Sequence, residues 1–269
     1  MPEGPECRRF ALALSEHVGG ETIVDFQVKS GRYTKKPMPG LDNLKQDIPI
    51  KVIGAGVHGK FIYLIFENKT SLWSTLGMAG SWQKKENKHT RVEITFESGK
   101  KVYFNDIRNF GTLQYCRNPH LLASKLESLG PDLLAQEVNN KEFISQLRKK
   151  NSSNITKVLM DQSVVAGIGN YIKSEALWLS RISPHLKVEE INDDRLSVLN
   201  KAVQTVMKES FVSGGATIKS YKDFFGNENH DYSSRFMVYN QKSDPDGNEV
   251  RKEKTPDGRT THWVPKVQE

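Results

Sequence analysis

The chain has 269 residues, 36% hydrophobic and 26% charged, which excludes collagen, coiled coil and a mainly disordered chain and leaves room for one or two packed cores. Lys and Arg number 39 against 32 Asp and Glu, a formal charge of +7 that points toward a polyanionic partner. No run approaches the roughly 20 apolar residues of a membrane helix, and no basic-then-apolar leader opens the chain. The two cysteines, Cys7 and Cys116, are too few for a disulfide framework or a four-cysteine zinc site, so an intracellular, reducing setting is expected.

After Pro2-Glu3-Gly4-Pro5-Glu6, the apolar residues Phe10, Ala11, Leu14 and Val18 recur at helical spacing until Gly19-Gly20, predicting a buried helix from about residue 5. Short β-branched and aromatic runs follow at 22–29, 61–67, 71–76, 91–96, 101–105 and 112–116. Such spacing predicts an antiparallel sandwich or barrel with the first helix packed against it. Beyond Asn118-Pro119 the pattern is helical, at 120–126, 141–149, 155–160, 171–179 and 194–210. Extended character returns at 236–239, 250–254 and 260–264, with Asp246-Gly247 and Asp257-Gly258 as turns. The chain therefore reads as α+β: a β-rich domain over 1–117, a linker over 118–134, a helical domain over 135–232 and a hairpin over 233–269.

Three motifs occur in order: Pro2-Glu3-Gly4-Pro5-Glu6, Leu129-Gly130-Pro131-Asp132, and the run from Leu159-Met160-Asp161-Gln162 through Ala166-Gly167-Ile168-Gly169-Asn170-Tyr171. Together they resemble the formamidopyrimidine-DNA glycosylase and endonuclease VIII family across nearly the whole chain. The resemblance implies a glycosylase and AP lyase of base excision repair, with a helix-two-turn-helix domain. The chemistry is plausible from the residues themselves. With Met1 removed, Pro2 presents a secondary amine with a pKa of about 7.7 to 8.0, substantially neutral and nucleophilic. Its attack on the anomeric carbon of a damaged nucleotide leaves an iminium that draws electrons from the sugar and opens the way to β- and δ-elimination. Glu3 is placed to move protons, with Glu6 supporting it from the helix start. Lys60, in Gly59-Lys60-Phe61, matches the family lysine that contacts a phosphate beside the lesion.

Everting a nucleotide leaves a hole that side chains must fill. Leu76-Gly77-Met78-Ala79-Gly80 and Asn105 to Gly111 resemble the two family loops that do so, which carries that role to Met78, Arg108 and Phe110. The α-helical start after Gly167-Ile168-Gly169 is expected to offer free N–H groups to a phosphate, assisted by Asn170 and Lys157, with Glu175 supporting the region. Arg259 aligns with the arginine that grips phosphates around the everted nucleotide. Lys219, Tyr221 and Lys222 fall in the stretch that in relatives lies over the damaged base. Taken singly, Glu6 is also a helix cap, Lys60 and Arg259 surface charges, Met78 and Phe110 core residues, and Glu175 a surface carboxylate.

Many relatives hold zinc between four cysteines in the terminal hairpin, yet no cysteine lies beyond Cys116, and His230 and His262 cannot complete a tetrahedral site. The hairpin resembles the zincless-finger, endonuclease VIII-like branch, whose members favour oxidised pyrimidines and ring-opened purines. Its arms are expected at 239–242 and 257–263, with Val250, Trp263 and Val264 replacing the metal. The expected partner is damaged DNA, as duplex or single strand. No cofactor, metal or membrane is expected, and the chain is expected to be a monomer. A non-catalytic nucleic-acid-binding module accounts for Asn170, Lys157 and the basic balance but not for Pro2-Glu3, Lys60 or the void-filling set. A metal-dependent nuclease lacks a visible ligand cluster.

Overall fold

The computed structural model describes residues 2–216, 223–226 and 232–269. The described chain divides into two compact units. One comprises residue 2, 6–127 and the described part of 214–230; the other comprises 3–5, 128–213 and 232–269.

In the first unit, helix α1 (Gly4–Val18) buries Cys7, Phe10, Ala11, Leu14 and Val18, the stripe its three- and four-residue spacing predicts. Strands β1 (Thr22–Val28), β2 (Ile50–His58), β3 (Phe61–Phe66), β4 (Ser71–Thr75), β5 (Gly80–Gln83), β6 (Thr90–Phe96), β7 (Lys101–Asp106) and β8 (Thr112–Cys116) pair antiparallel in the order β5-β7-β6-β1-β2-β3-β4-β8. β1 and β2 share only the pairs Thr22–Lys51 and Ile23–Ile50, whereas β2 follows β3 from Val52 to His58. β2 therefore passes from one layer to the other. Extra residues at Val24 and Ile53 are the bulges that let the strands bend at this corner. The sandwich encloses Ile23, Phe26, Val52, Ile62, Leu64, Trp82 and Phe104 together with the α1 stripe. Two short helices, α2 (Arg32–Lys35) and α3 (Leu41–Asp47), bridge β1 to β2, and α4 (Pro119–Glu127) occupies the start of the stretch expected as a linker.

The second unit contains α5 (Asn140–Arg148), α6 (Ile155–Met160), α7 (Asn170–Leu179) and α8 (Asp193–Val212). Asn139, Asn154 and Asn192 cap α5, α6 and α8, each accepting a backbone N–H of the first turn at 2.9 Å. α7 packs on α8 and on the terminal hairpin, and Phe143, Leu147, Ile172, Leu177, Leu199 and Val203 are fully buried.

That hairpin pairs β9 (Arg251–Lys254) with β10 (Thr260–Trp263) across a turn at 255–259. Two expectations are corrected here. Residues 236–239 are not extended: they form bends whose Met237, Val238 and Tyr239 N–H groups all point at Glu175. The first arm is accordingly β9, not 239–242. Before β9, Asp244 gathers a turn by accepting from the Asp246 and Asn248 backbones at 3.1 and 2.8 Å and from the Asn248 side chain. After β10, Gln268 accepts from Val264 N at 2.7 Å and donates to Ile182 O at 2.9 Å. Val238, Val250 and Val264 pack between, beside Trp178 and Val267. Trp263 is not in this cluster; it bonds Glu253 at 3.1 Å and meets His185 edge-on.

Candidate functional site

The N-terminal residues are fixed rather than frayed. Pro2, Glu3, Gly4, Pro5 and Glu6 are all buried. In the second unit, Gly4 N donates to Gly167 O at 2.9 Å, and the Glu3 carboxylate accepts from Tyr171 N at 2.9 Å and Ile172 N at 3.3 Å. Glycines allow this approach. A Cβ on Gly4 would lie 3.0 Å from the Gly167 Cα, and one on Gly169 would lie 2.2 Å from the Glu3 Cδ. The second and third N–H groups of α7 are therefore occupied by a carboxylate of the chain itself, which corrects the expectation that they stand free for a phosphate.

In the first unit, Pro2 is buried and Glu6 lies in the first turn of α1, where it accepts from Ala216 N at 2.8 Å. Glu6 thus holds the Gly214-Gly215-Ala216 turn in place. A Cβ on Gly215 would meet its Oε1 at 3.0 Å, and the turn's glycines take φ of 96° and 95°. Lys60 is half-buried in the two-residue β2–β3 turn, beside Gly59 at φ 56°, a conformation suited to glycine at the first position of a II′ turn.

Met78 and Arg108 lie on two loops that meet: Arg108 Nη1 is 3.4 Å from Met78 Sδ, and a Cβ on Gly77 would come within 2.8 Å of Gly111 N and of the Phe110 carbonyl carbon. Asp106 shapes the second loop, accepting from Arg108 N at 3.1 Å and Gly111 N at 2.7 Å. Arg91 and Arg32 clamp its carbonyls at Asp106 and Gly111. Phe110 is left 57% exposed on this hydrogen-bonded loop, which corrects the core reading for that residue. A large exposed aromatic held by a hydrogen-bonded loop is suited to insertion into a partner.

Elsewhere in the second unit, Lys157 is exposed on α6 between buried neighbours and Arg259 is exposed in the β9–β10 turn. Asn170 Nδ2 donates to Thr260 O at 2.9 Å, so one amide donor expected for a phosphate holds β10 instead. Glu175 is buried and binds Val238 N and Tyr239 N through Oε1, at 3.0 and 2.7 Å, and Met237 N through Oε2 at 2.9 Å. Burial pushes its carboxyl up while these three bonds pull against it. It anchors the segment leading to the hairpin. Lys219, Tyr221 and Lys222 lie outside the described residues, as does His230.

Sequence reasoning missed Lys173. Its ammonium is 0% exposed and donates to Asp257 Oδ2 at 2.5 Å. Burial pulls its pKa down, while Asp257 and Glu3 hold it up. Its place one turn ahead of buried Ala176 and Leu177 was the available signal, a charge inside an apolar stripe. Among the described residues no group of three or more His, Cys, Asp or Glu is placed to hold a metal ion.

An N-terminal helix, an antiparallel sandwich, a helical segment carrying Gly167-Ile168-Gly169-Asn170 and a terminal hairpin make up the fold of a DNA glycosylase. Models of the formamidopyrimidine-DNA glycosylase N-terminal, H2TH and C-terminal domains match residues 1–113, 129–222 and 222–269 in turn. The chain belongs to the formamidopyrimidine-DNA glycosylase and endonuclease VIII family. The formamidopyrimidine-DNA glycosylase of Cytobacillus firmus is 30% identical over 278 residues and that of Halalkalibacterium halodurans 31% over 281, covering 100% and 98% of both chains. The crystal structure of the MutM (Fpg) protein from Thermus thermophilus superposes with a TM-score of 0.87 at 27% identity, covering 99% of this chain and 98% of that one.

Proposed function

We propose that the protein is a bifunctional DNA glycosylase and AP lyase that acts on oxidised bases through the amine of Pro2. The observation that carries this reading is the fixing of Glu3 and Gly4: chain ends are ordinarily loose, and this one is buried and bonded at three points next to the nucleophile. With Met1 removed, the Pro2 nitrogen bonds to C1′ of the damaged nucleotide and the base leaves with the glycosidic electron pair and a proton. Ring opening gives an iminium, whose positive nitrogen accepts the electrons released when a proton leaves C2′. The 3′ phosphate departs by β-elimination and the 5′ phosphate by δ-elimination. Water then releases the enzyme from the sugar remnant. Glu3 moves protons at the sugar, Glu6 keeps the 214–216 turn in register, and Lys60 neutralises a phosphate beside the lesion.

Met78, Arg108 and Phe110 fill the void left by the everted nucleotide, and Lys157 and Arg259 bind phosphates. The Lactococcus lactis formamidopyrimidine-DNA glycosylase has been crystallised with DNA containing an AP site, and damaged DNA is the partner proposed here. The hairpin is proposed to stand without zinc, on Asp244, Gln268 and the valine cluster. Together with Gly4 after Glu3, this supports the endonuclease VIII-like branch and a preference for oxidised pyrimidines and ring-opened purines.

Borohydride reduction during incubation with lesion-containing duplex should join protein to DNA, with the adduct mapping by mass spectrometry to residue 2. N-terminal acetylation should abolish it. An adduct mapping elsewhere, or trapping undiminished by acetylation, overturns the Pro2 assignment. A panel of single-lesion duplexes, with product ends resolved on a gel, tests base preference and δ-elimination together.

A further inference from the structure

A buried ion pair is seldom the most stable filling for its space, since well-packed hydrophobic side chains often do as well or better. Lys173 and Asp257, with side chains 0% and 2% exposed, therefore call for another reason. That reason lies in what Asp257 does with its second oxygen. Oδ1 accepts from Thr255 Oγ1 at 2.6 Å and from Arg259 N at 3.3 Å. Thr255 in turn donates its N–H to Arg259 O at 3.0 Å, and its hydroxyl meets Thr261 Oγ1 at 2.6 Å. Both backbone polar atoms of Arg259 are thus held within a turn that hangs on Lys173. The turn is exposed at its tip, where Gly258 takes φ of 77°, and tied to α7 at its base.

We propose that Lys173 is a positioning residue for Arg259: through Asp257 it locks the β9–β10 turn onto α7, so that the guanidinium is presented to a DNA phosphate in one place. The inference rests on the proposed phosphate contact of Arg259. A buried lysine on α7 supplies the cation, the aspartate converts it into a backbone anchor, and Thr255 spreads the anchor across both strands of the hairpin. The negative charge of Glu3 also favours the ammonium, while the positive charge of Arg259 opposes it.

The test is the salt dependence of binding to a duplex carrying a tetrahydrofuran abasic-site analogue, followed by fluorescence anisotropy over a series of potassium chloride concentrations. Each phosphate contact contributes about 0.9 to the slope of log affinity against log salt. Arg259→Ala should lower the slope by about 0.9. Lys173→Met should lower it by the same amount, and Lys173→Met/Arg259→Ala should lower it no further than Arg259→Ala. A charge serving only to hold the fold would change the melting temperature and leave the slope alone.

Should Lys173→Met fold poorly, Lys173→Met/Asp257→Leu removes both buried charges. It should regain the melting temperature while keeping the reduced slope. A full slope in Lys173→Met or in the double variant, with Arg259→Ala reduced, overturns the positioning role and leaves the phosphate contact standing. An unaltered slope in Arg259→Ala removes the phosphate contact itself, and the inference with it.

Discussion

Glu175 serves three consecutive backbone N–H groups with two oxygens. In Glu175→Gln one oxygen becomes an NH2 group facing the Met237 N–H, leaving a donor opposed to a donor in a buried place. A loss of about 1 to 3 kcal/mol is expected, read as a lower thermal midpoint; an unchanged midpoint would show that the three bonds are dispensable. His262 makes a prediction about pH. It is buried beside Tyr239, its Nδ1 lacks a hydrogen-bond partner, and burial, with Lys252 and Lys173 nearby, depresses its pKa from 6.5 to about 4. The unfolded chain therefore binds a proton that the folded one refuses. The stability associated with a neutral His262 is fully present above pH 6.5 and is lost as pH falls toward 4. His262→Phe keeps a ring against Tyr239 and should flatten that part of the stability curve, measured as the urea midpoint against pH. Identical curves for the two proteins would contradict the depressed pKa.

The loop pair bearing Met78 and Phe110 depends on Gly77, which has φ of 56° and no room for a side chain. Gly77→Ala should separate the loops and weaken binding to lesion duplex about tenfold, the effect of roughly 1.4 kcal/mol. Gly99→Ala is the control, because Gly99 has φ of 83° with open space around it and carries only the backbone cost. Equal binding by both variants would show that the meeting of the loops is unimportant. If the hairpin stands without zinc, as proposed, EDTA should leave melting and activity unchanged. Asp244→Ala should lower the melting temperature by several degrees, the shift expected for about 1 to 2 kcal/mol in a chain of this size. A chelator-induced loss of structure would point to a metal.

What the sequence revealed of these elements followed from how plainly each announces its surroundings. The α1 stripe and the six runs of β-branched and aromatic residues were legible. β2 was not, because Gly54 and Gly56 interrupt it, and Gly56 is small for a reason: a Cβ there would sit 2.5 Å from the Tyr63 ring across the sheet. β5, Gly80–Gln83, is too short and too polar to stand out. Residues 236–239 looked like a strand because their side chains are apolar, but their backbone hydrogen bonds go to a distant glutamate, and no local pattern records that.

At the scale of the molecule, the order of motifs along the chain was sufficient to expect the family and its fold. The use of Glu3 as the cap of α7 was not readable, since it joins residues 168 apart in sequence. A separation of 84 residues likewise hid the Lys173–Asp257 pair. The excess of positive charge, +7 over the whole chain, supplies a sequence-independent attraction to DNA. Lys157→Ala should therefore weaken binding to duplexes of different sequence alike, measured by competition titration; a loss confined to one sequence would mean that Lys157 reads bases.

The distance between Glu3 and its partners has a consequence for how the protein is made. Translation must continue for 168 residues before Tyr171 exists, roughly ten to thirty seconds at about 5 to 20 residues per second. Throughout that interval Glu3 lacks the two N–H groups that its carboxylate binds in the folded chain. The pinning of Glu3 is therefore a late event in synthesis, set by the sequence position of α7.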